Sequence, residues 1–161
     1  MRVNYSDQKL LKSSDGSIFL AGPTPRQDSS VPSWRIRGLE SLKRYGFKGL
    51  VYVPEASDWK SPPACLDKQF WWEREALAQA DIIVFWLERY LDPQLKSLGL
   101  PGFTTNVEFG YCLALKRLVI YGRPDDARKI GYLDRLYRAE TGYEPINDLS
   151  KLLKVAVDLV G

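Results

Sequence analysis

The chain has 161 residues, 45% of them hydrophobic, and a formal net charge of +3 from 23 basic and 20 acidic side chains; this suits one domain spanning 1–161, and the scattered basic residues argue against nucleic-acid binding. There is no histidine, which excludes a Ser-His dyad, imidazole acid–base chemistry and histidine metal ligands, and leaves proton transfer to Asp, Glu, Tyr, Lys or Cys. Cys65 and Cys112 stand far apart without C-x-x-C spacing, so both read as free thiols in a reducing compartment rather than as parts of a disulfide or zinc framework. No apolar run approaches the roughly 18 residues that span a bilayer. Residues 1–12 are too polar for a signal peptide. The expected setting is the cytoplasm, with no membrane partner.

In chain order, Ser17-Ile18-Phe19-Leu20-Ala21 is a short apolar run closed by Gly22-Pro23-Thr24-Pro25, which reads as a buried strand stopped by a turn. Ser33 precedes a helix over 34–45, with Ile36, Leu39 and Leu42 at helical spacing and Gly46 at its end. A second strand covers 50–54. After Pro62-Pro63 a helix is predicted over 70–80, then a strand over 81–86 and a long loop over 87–103. The next helix runs to Lys116 and is followed by a strand over 118–122. Helices over 132–140 and 146–160 complete the chain. Apolar strands alternating with helices imply a mainly parallel sheet covered on both faces. Ligands bind such sheets beyond the carboxyl ends of the strands, which brings the regions of Gly22, Pro54, Trp86 and Glu108 together.

Glu108 falls where a polar loop, Thr104-Thr105-Asn106-Val107, becomes the apolar helix Phe109-Gly110-Tyr111-Cys112-Leu113. A carboxylate in a first helical turn is held ionised by the N–H groups and the helix dipole, and can serve as a nucleophile or charge stabiliser. Thr105 and Glu108 also fit the S/T-x-x-E capping box. Gly22, Pro23, Thr24 and Arg26 form a loop whose glycine lets backbone approach a ligand and whose arginine could stack on a base or pair with an anion; an ordinary strand-ending turn is the alternative. There is no G-x-G-x-x-G or G-x-x-x-x-G-K pattern, which argues against dinucleotide-binding and P-loop proteins. Trp34, Trp59, Trp71, Trp72 and Trp86 are placed in or beside the loop face, each a candidate for core or for base stacking, with Trp86 preferred as a ligand contact because it ends a strand. Glu73 reads as a surface carboxylate or one that supports another group.

Phe19-Leu20-Ala21-Gly22-Pro23-Thr24-Pro25-Arg26, Trp34-Arg35, Trp72-Glu73 ahead of Ala80-Asp81, Phe85-Trp86, and Thr104-Thr105-Asn106-Val107-Glu108-Phe109-Gly110 together resemble the nucleoside 2-deoxyribosyltransferases, over roughly residues 17–132. The resemblance implies an α/β, single-domain, flavodoxin- or Rossmann-like three-layer sandwich. It implies that Glu108 attacks C1′ of a deoxynucleoside to form a deoxyribosyl-enzyme, that Asp81 holds the base and supplies its proton, and that a second base then takes the sugar. It implies substrate contacts from Gly22, Pro23, Thr24, Arg26, Trp34, Trp86, Thr104, Thr105 and Asn106. No cofactor or metal is expected. The partners implied are deoxynucleosides, free nucleobases and further copies of the chain in a homo-oligomer. Two positions depart from the family pattern: Phe19 stands where a tyrosine would orient the nucleophile, and Gly102 where an acid would grip the sugar, so that Thr104, Thr105, Asn106 or Asp92 would take over sugar recognition. Two rivals are an N-glycosidase on the same scaffold, acting on nucleosides or their 5′-monophosphates, and a nucleotide-binding module without turnover.

Overall fold

The structure, a computed structural model, describes residues 1–25, 31–62, 64–89 and 101–160. Its elements are β1 (Arg2–Tyr5), β2 (Ser17–Ala21), α1 (Trp34–Arg44), β3 (Leu50–Val53), α2 (Leu66–Gln79), β4 (Ile82–Trp86), α3 (Phe103–Ala114), β5 (Val119–Gly122), α4 (Gly131–Thr141) and α5 (Leu149–Val160). The strands form one sheet in the order β1-β3-β2-β4-β5, and every pairing is parallel. Each residue of β2, β3, β4 and β5 is buried, which is why these strands read as unbroken apolar runs.

Alternation along the strands sends neighbouring side chains to opposite faces. Ile18, Leu20, Ile82, Val84 and Trp86 pack with Trp34 and Leu42 of α1 and Leu149, Leu152 and Leu153 of α5. Phe19, Ala21, Ile83 and Phe85 pack with Trp72 and Ala76 of α2, Phe109 and Leu113 of α3, and Leu133 and Tyr137 of α4. The result is a three-layer α/β sandwich of the flavodoxin-like kind expected from the sequence. From β2 the chain moves outward through α1 to β3, then returns through α2 to β4 on the other side of β2. The gap between the carboxyl ends of β2 and β4 is thus the topological switch point, where open α/β sheets hold ligands.

Three features depart from the sequence reading. β1 is an additional edge strand in which only Asn4, a polar residue, is buried, so no apolar run marked it. Helix α2 begins at Leu66, a full turn earlier than expected. Helix α3 begins at Phe103 after Gly102, a left-handed residue at φ 58° that supplies no side-chain cap. Thr105 is therefore inside the helix, and the Thr105–Glu108 capping box is not formed. Among the described residues, no helix is long and apolar enough to cross a membrane.

Candidate active site

A cavity of about 350 Å³ opens at the switch point, lined among others by Phe19, Ala21 and Gly22 of the β2 end, Arg35, Pro54, Gln69, Glu73, Gly102, Thr105 and Glu108; its size falls within the range of small-molecule sites. Helix α3 is fixed on the sheet by Phe109, whose ring meets Phe85 edge-on at 5.0 Å and Tyr121 at 4.9 Å. The preceding residue, Glu108, is thereby turned toward α2. There it meets Glu73, and the two carboxyls share a hydrogen bond.

Glu108 is the sixth residue of α3, in its second turn rather than its first, so the end of the helix dipole does not hold it ionised. The electrostatics run the opposite way. Burial, and then the neighbouring Glu73, push the Glu108 carboxyl up to about 7, against the pull of Arg35. Burial likewise raises Glu73, while hydrogen bonds from Gln69 and Glu108 and the charge of Arg35 draw it back. Two adjacent carboxyls that cannot both ionise behave as one site with a shared proton. Gln69 completes the support: its Nε2 donates to Glu73 Oε1 at 2.6 Å and to the Pro54 carbonyl at 3.4 Å.

The loop after β2 forms a second wall. A Cβ on Gly22 would lie 2.3 Å from the Trp86 carbonyl oxygen and 3.1 Å from the Trp34 ring, at a φ of 154°, so glycine is needed for close approach between β2 and β4. Gly102 is constrained as well. A Cβ there would lie 2.9 Å from Pro23 Cγ, which explains why no sugar-gripping acid stands at this position.

Of the residues singled out from sequence, Glu108, Gly22, Pro23, Thr24, Thr104 and Thr105 line the cavity. Asn106 does not; its Oδ1 accepts a hydrogen bond from Arg89 Nη2. Trp34 and Trp86 belong to the core on the α1/α5 face, where Trp34 supports Gly22 from behind and Trp86 Nε1 donates to Glu88 at 3.1 Å. Trp72 is core, Trp71 is exposed, and Trp59 packs edge-on against Tyr5, so the aromatic lining comes from Phe19 and Phe103 instead. Arg26 and Asp92 lie outside the described residues. Asp81 does not line the cavity. Its carboxylate accepts from the Ser17 hydroxyl at 2.6 Å and its amide donates to Ser17 Oγ at 3.0 Å, at the amino ends of β2 and β4. Four residues of strand, about 13 Å at the usual rise, separate that end from Ala21 in the cavity wall.

A family model described as nucleoside 2-deoxyribosyltransferase like matches residues 15–125, a span that includes β2 to β5 and every element that lines the cavity. The chain belongs to this family. A comparison with curated proteins gave no match. Membership brings a nucleoside-handling function and small-molecule substrates. In this deoxyribosyltransferase-like chain, the residues missed by sequence reasoning are Glu73 as a direct partner of Glu108 and Gln69 beside it, while Pro54 and the motif residue Arg35, whose regions were expected at the site, also line the cavity. The signal for Glu73 was present: on the α2 wheel it follows Trp72 and precedes Ala76 by three, which puts it on the edge of the buried stripe.

Proposed function

We propose that the chain transfers a 2-deoxyribosyl group from a deoxynucleoside to a second free base. The observation that carries this reading is the Glu73–Glu108 pair, two carboxyls sharing a hydrogen bond inside a cavity at the switch point. The singly protonated pair holds both groups that glycosidic exchange needs. In the free pair the shared proton sits on Glu108, which donates to Glu73. It crosses that hydrogen bond as substrate binds, so that Glu73 gives it to the departing base as the C1′–N bond breaks and the Glu108 carboxylate, now free, forms the new C1′–O bond. The electron pair of the broken bond leaves with the base. An incoming base then attacks C1′, the ester bond returns its electrons to Glu108, and Glu73 takes up the proton released from that base. Two displacements retain the configuration at C1′. Partial positive charge on the sugar is opposed by the carboxylate throughout.

Incubation of a deoxynucleoside with and without a second base, followed by chromatography, tests the reading. A new nucleoside that forms only with the second base supports it; free deoxyribose as the sole sugar product contradicts it and leaves the hydrolase. One observation favours a second reading, action on nucleoside 5′-monophosphates: Gly102 gives α3 no side-chain cap, and Phe103, Thr104 and Thr105 of its first turn line the cavity, where free N–H groups suit a phosphate. Comparing a deoxynucleoside with its 5′-monophosphate as substrate separates the two. A homo-oligomer is also part of the proposal. Leu66, Phe70 and Trp71 of α2 and Phe103 and Val107 of α3 are exposed large apolar side chains, of the kind that a partner copy would cover; sedimentation as a monomer at micromolar concentration would count against it.

A further inference from the structure

We propose that Arg35 is the positioning residue of this cavity, whose guanidinium fastens the Gly22–Thr24 wall and sets its positive charge against the Glu73–Glu108 pair. The inference rests on the catalytic reading of that pair. Arg35 is the second residue of α1 and is 1% exposed, yet it lines the cavity. Its Nε donates to the Leu20 carbonyl at 2.8 Å, its Nη2 to the Gly22 carbonyl at 2.7 Å, and its Nη1 to Thr24 Oγ1 at 3.2 Å and Glu55 Oε1 at 2.6 Å. These carbonyls lie at or beyond the end of β2, where the ladder stops offering donors, and one planar fork meets both.

The same guanidinium that makes these bonds lines the cavity that holds Glu73 and Glu108, so it brings a fixed positive charge to the space that the two carboxyls share. Burial pushes both acids toward the protonated form, the charge of Glu73 adds to that for Glu108, and the doubly protonated pair has no nucleophile; the charge of Arg35 opposes the shift in each of them. Among the described residues, the other groups facing the pair do not replace it: Gln69 is neutral, and burial pushes the Cys112 thiol up to about 11, so it carries no charge at neutral pH. The strands contribute Phe19 and Ala21. Glu55, 2.6 Å from Arg35 and held by Ser33 Oγ at 2.5 Å, offsets part of the positive field that reaches the pair.

This arrangement makes a prediction of opposite signs. Titration of the free protein, followed by carbonyl-region NMR of ¹³C-labelled glutamate, should show the midpoint of the pair rising by about 1 pH unit or more in Arg35→Gln, as expected on loss of a nearby opposite charge. It should fall in Glu55→Gln, where the arginine field is no longer offset. Arg35→Lys keeps the charge but not the fork, so its midpoint should stay near that of the wild type while KM for the nucleoside rises about tenfold, the loss that goes with roughly one misplaced contact. A merely structural role would shift neither midpoint, or both in the same direction. Either result overturns the proposal, as does Arg35→Lys matching Arg35→Gln. If Arg35→Gln fails to fold, the fall in Glu55→Gln and the pH-silent KM change in Arg35→Lys still decide the matter. Because the titration needs no substrate, a wild type that never releases base sinks the catalytic reading and leaves the electrostatic result intact.

Discussion

Replacing Glu108 with glutamine should make the protein more stable in alkaline solution while abolishing its chemistry. In the fold the Glu108 carboxyl rises from the ordinary 4.5 to about 7, first by burial and then by the charge of Glu73. A raised carboxyl pKa means that the fold binds the proton more tightly than the unfolded chain does. The associated stability is complete below about pH 4.5 and is lost as the pH climbs through about 7. At about 1.4 kcal/mol per pH unit the loss is at most about 3.5 kcal/mol, and relaxation of a partly accessible site reduces it to about 2. Glutamine has nearly the same shape, carries no charge and can donate a hydrogen bond to Glu73, so it removes the loss. A domain of this size changes its Tm by about 2 to 4 °C per kcal/mol. Thermal melts should therefore show Glu108→Gln and the wild type nearly together at pH 5, and the variant higher by about 4 to 8 °C at pH 8. Equal melting temperatures at pH 8, or a less stable variant, would refute the claim that this carboxyl is held in an environment hostile to its charge.

Three further outcomes follow from the same geometry. Glu73→Gln should slow base release by about 10² to 10⁴-fold, the usual range for a lost general acid, and should remove the alkaline fall in rate that comes from loss of the shared proton; a variant with the wild-type pH profile would contradict the pairing. Gly102→Ala should cost about 1 to 2 kcal/mol in chemical denaturation, because φ 58° strains an L-residue and its Cβ would crowd Pro23. Asp81→Asn should leave base release within about twofold of the wild type, since distant surface changes rarely matter by more than about 0.5 kcal/mol; a loss of catalysis there would return Asp81 to the site.

The sequence was most legible where a residue's environment is simple. β2, β3, β4 and β5 are buried on both faces, so apolar runs marked them without ambiguity. β1 escaped because an edge strand needs few apolar residues; its buried Asn4 instead accepts a hydrogen bond from the Leu11 amide at 2.8 Å. Glu108 could be found because a carboxylate beside an apolar helix is conspicuous. Its partner could not be found by type alone, since Asp81 and Glu73 both stand near β4, and only the fold, which ties Asp81 to Ser17 at the amino end of β2, separates them. Trp86 was decidable by period two: it shares a face with Ile82 and Val84, opposite the one on which α2 and α3 pack. The charge state of Glu108 was not legible at all. It depends on the left-handed Gly102 that starts α3 early and on burial by α2, neither of which any local spacing encodes.

The central claim is that Glu108 carries the sugar between bases, and mass spectrometry of the protein after brief exposure to a deoxynucleoside tests it most directly. The account predicts one deoxyribosyl adduct, confined to the peptide containing Glu108, absent from Glu108→Gln, and discharged when a second base is added. Base exchange without an adduct at this peptide, an adduct on another residue, or undiminished exchange by Glu108→Gln would contradict it.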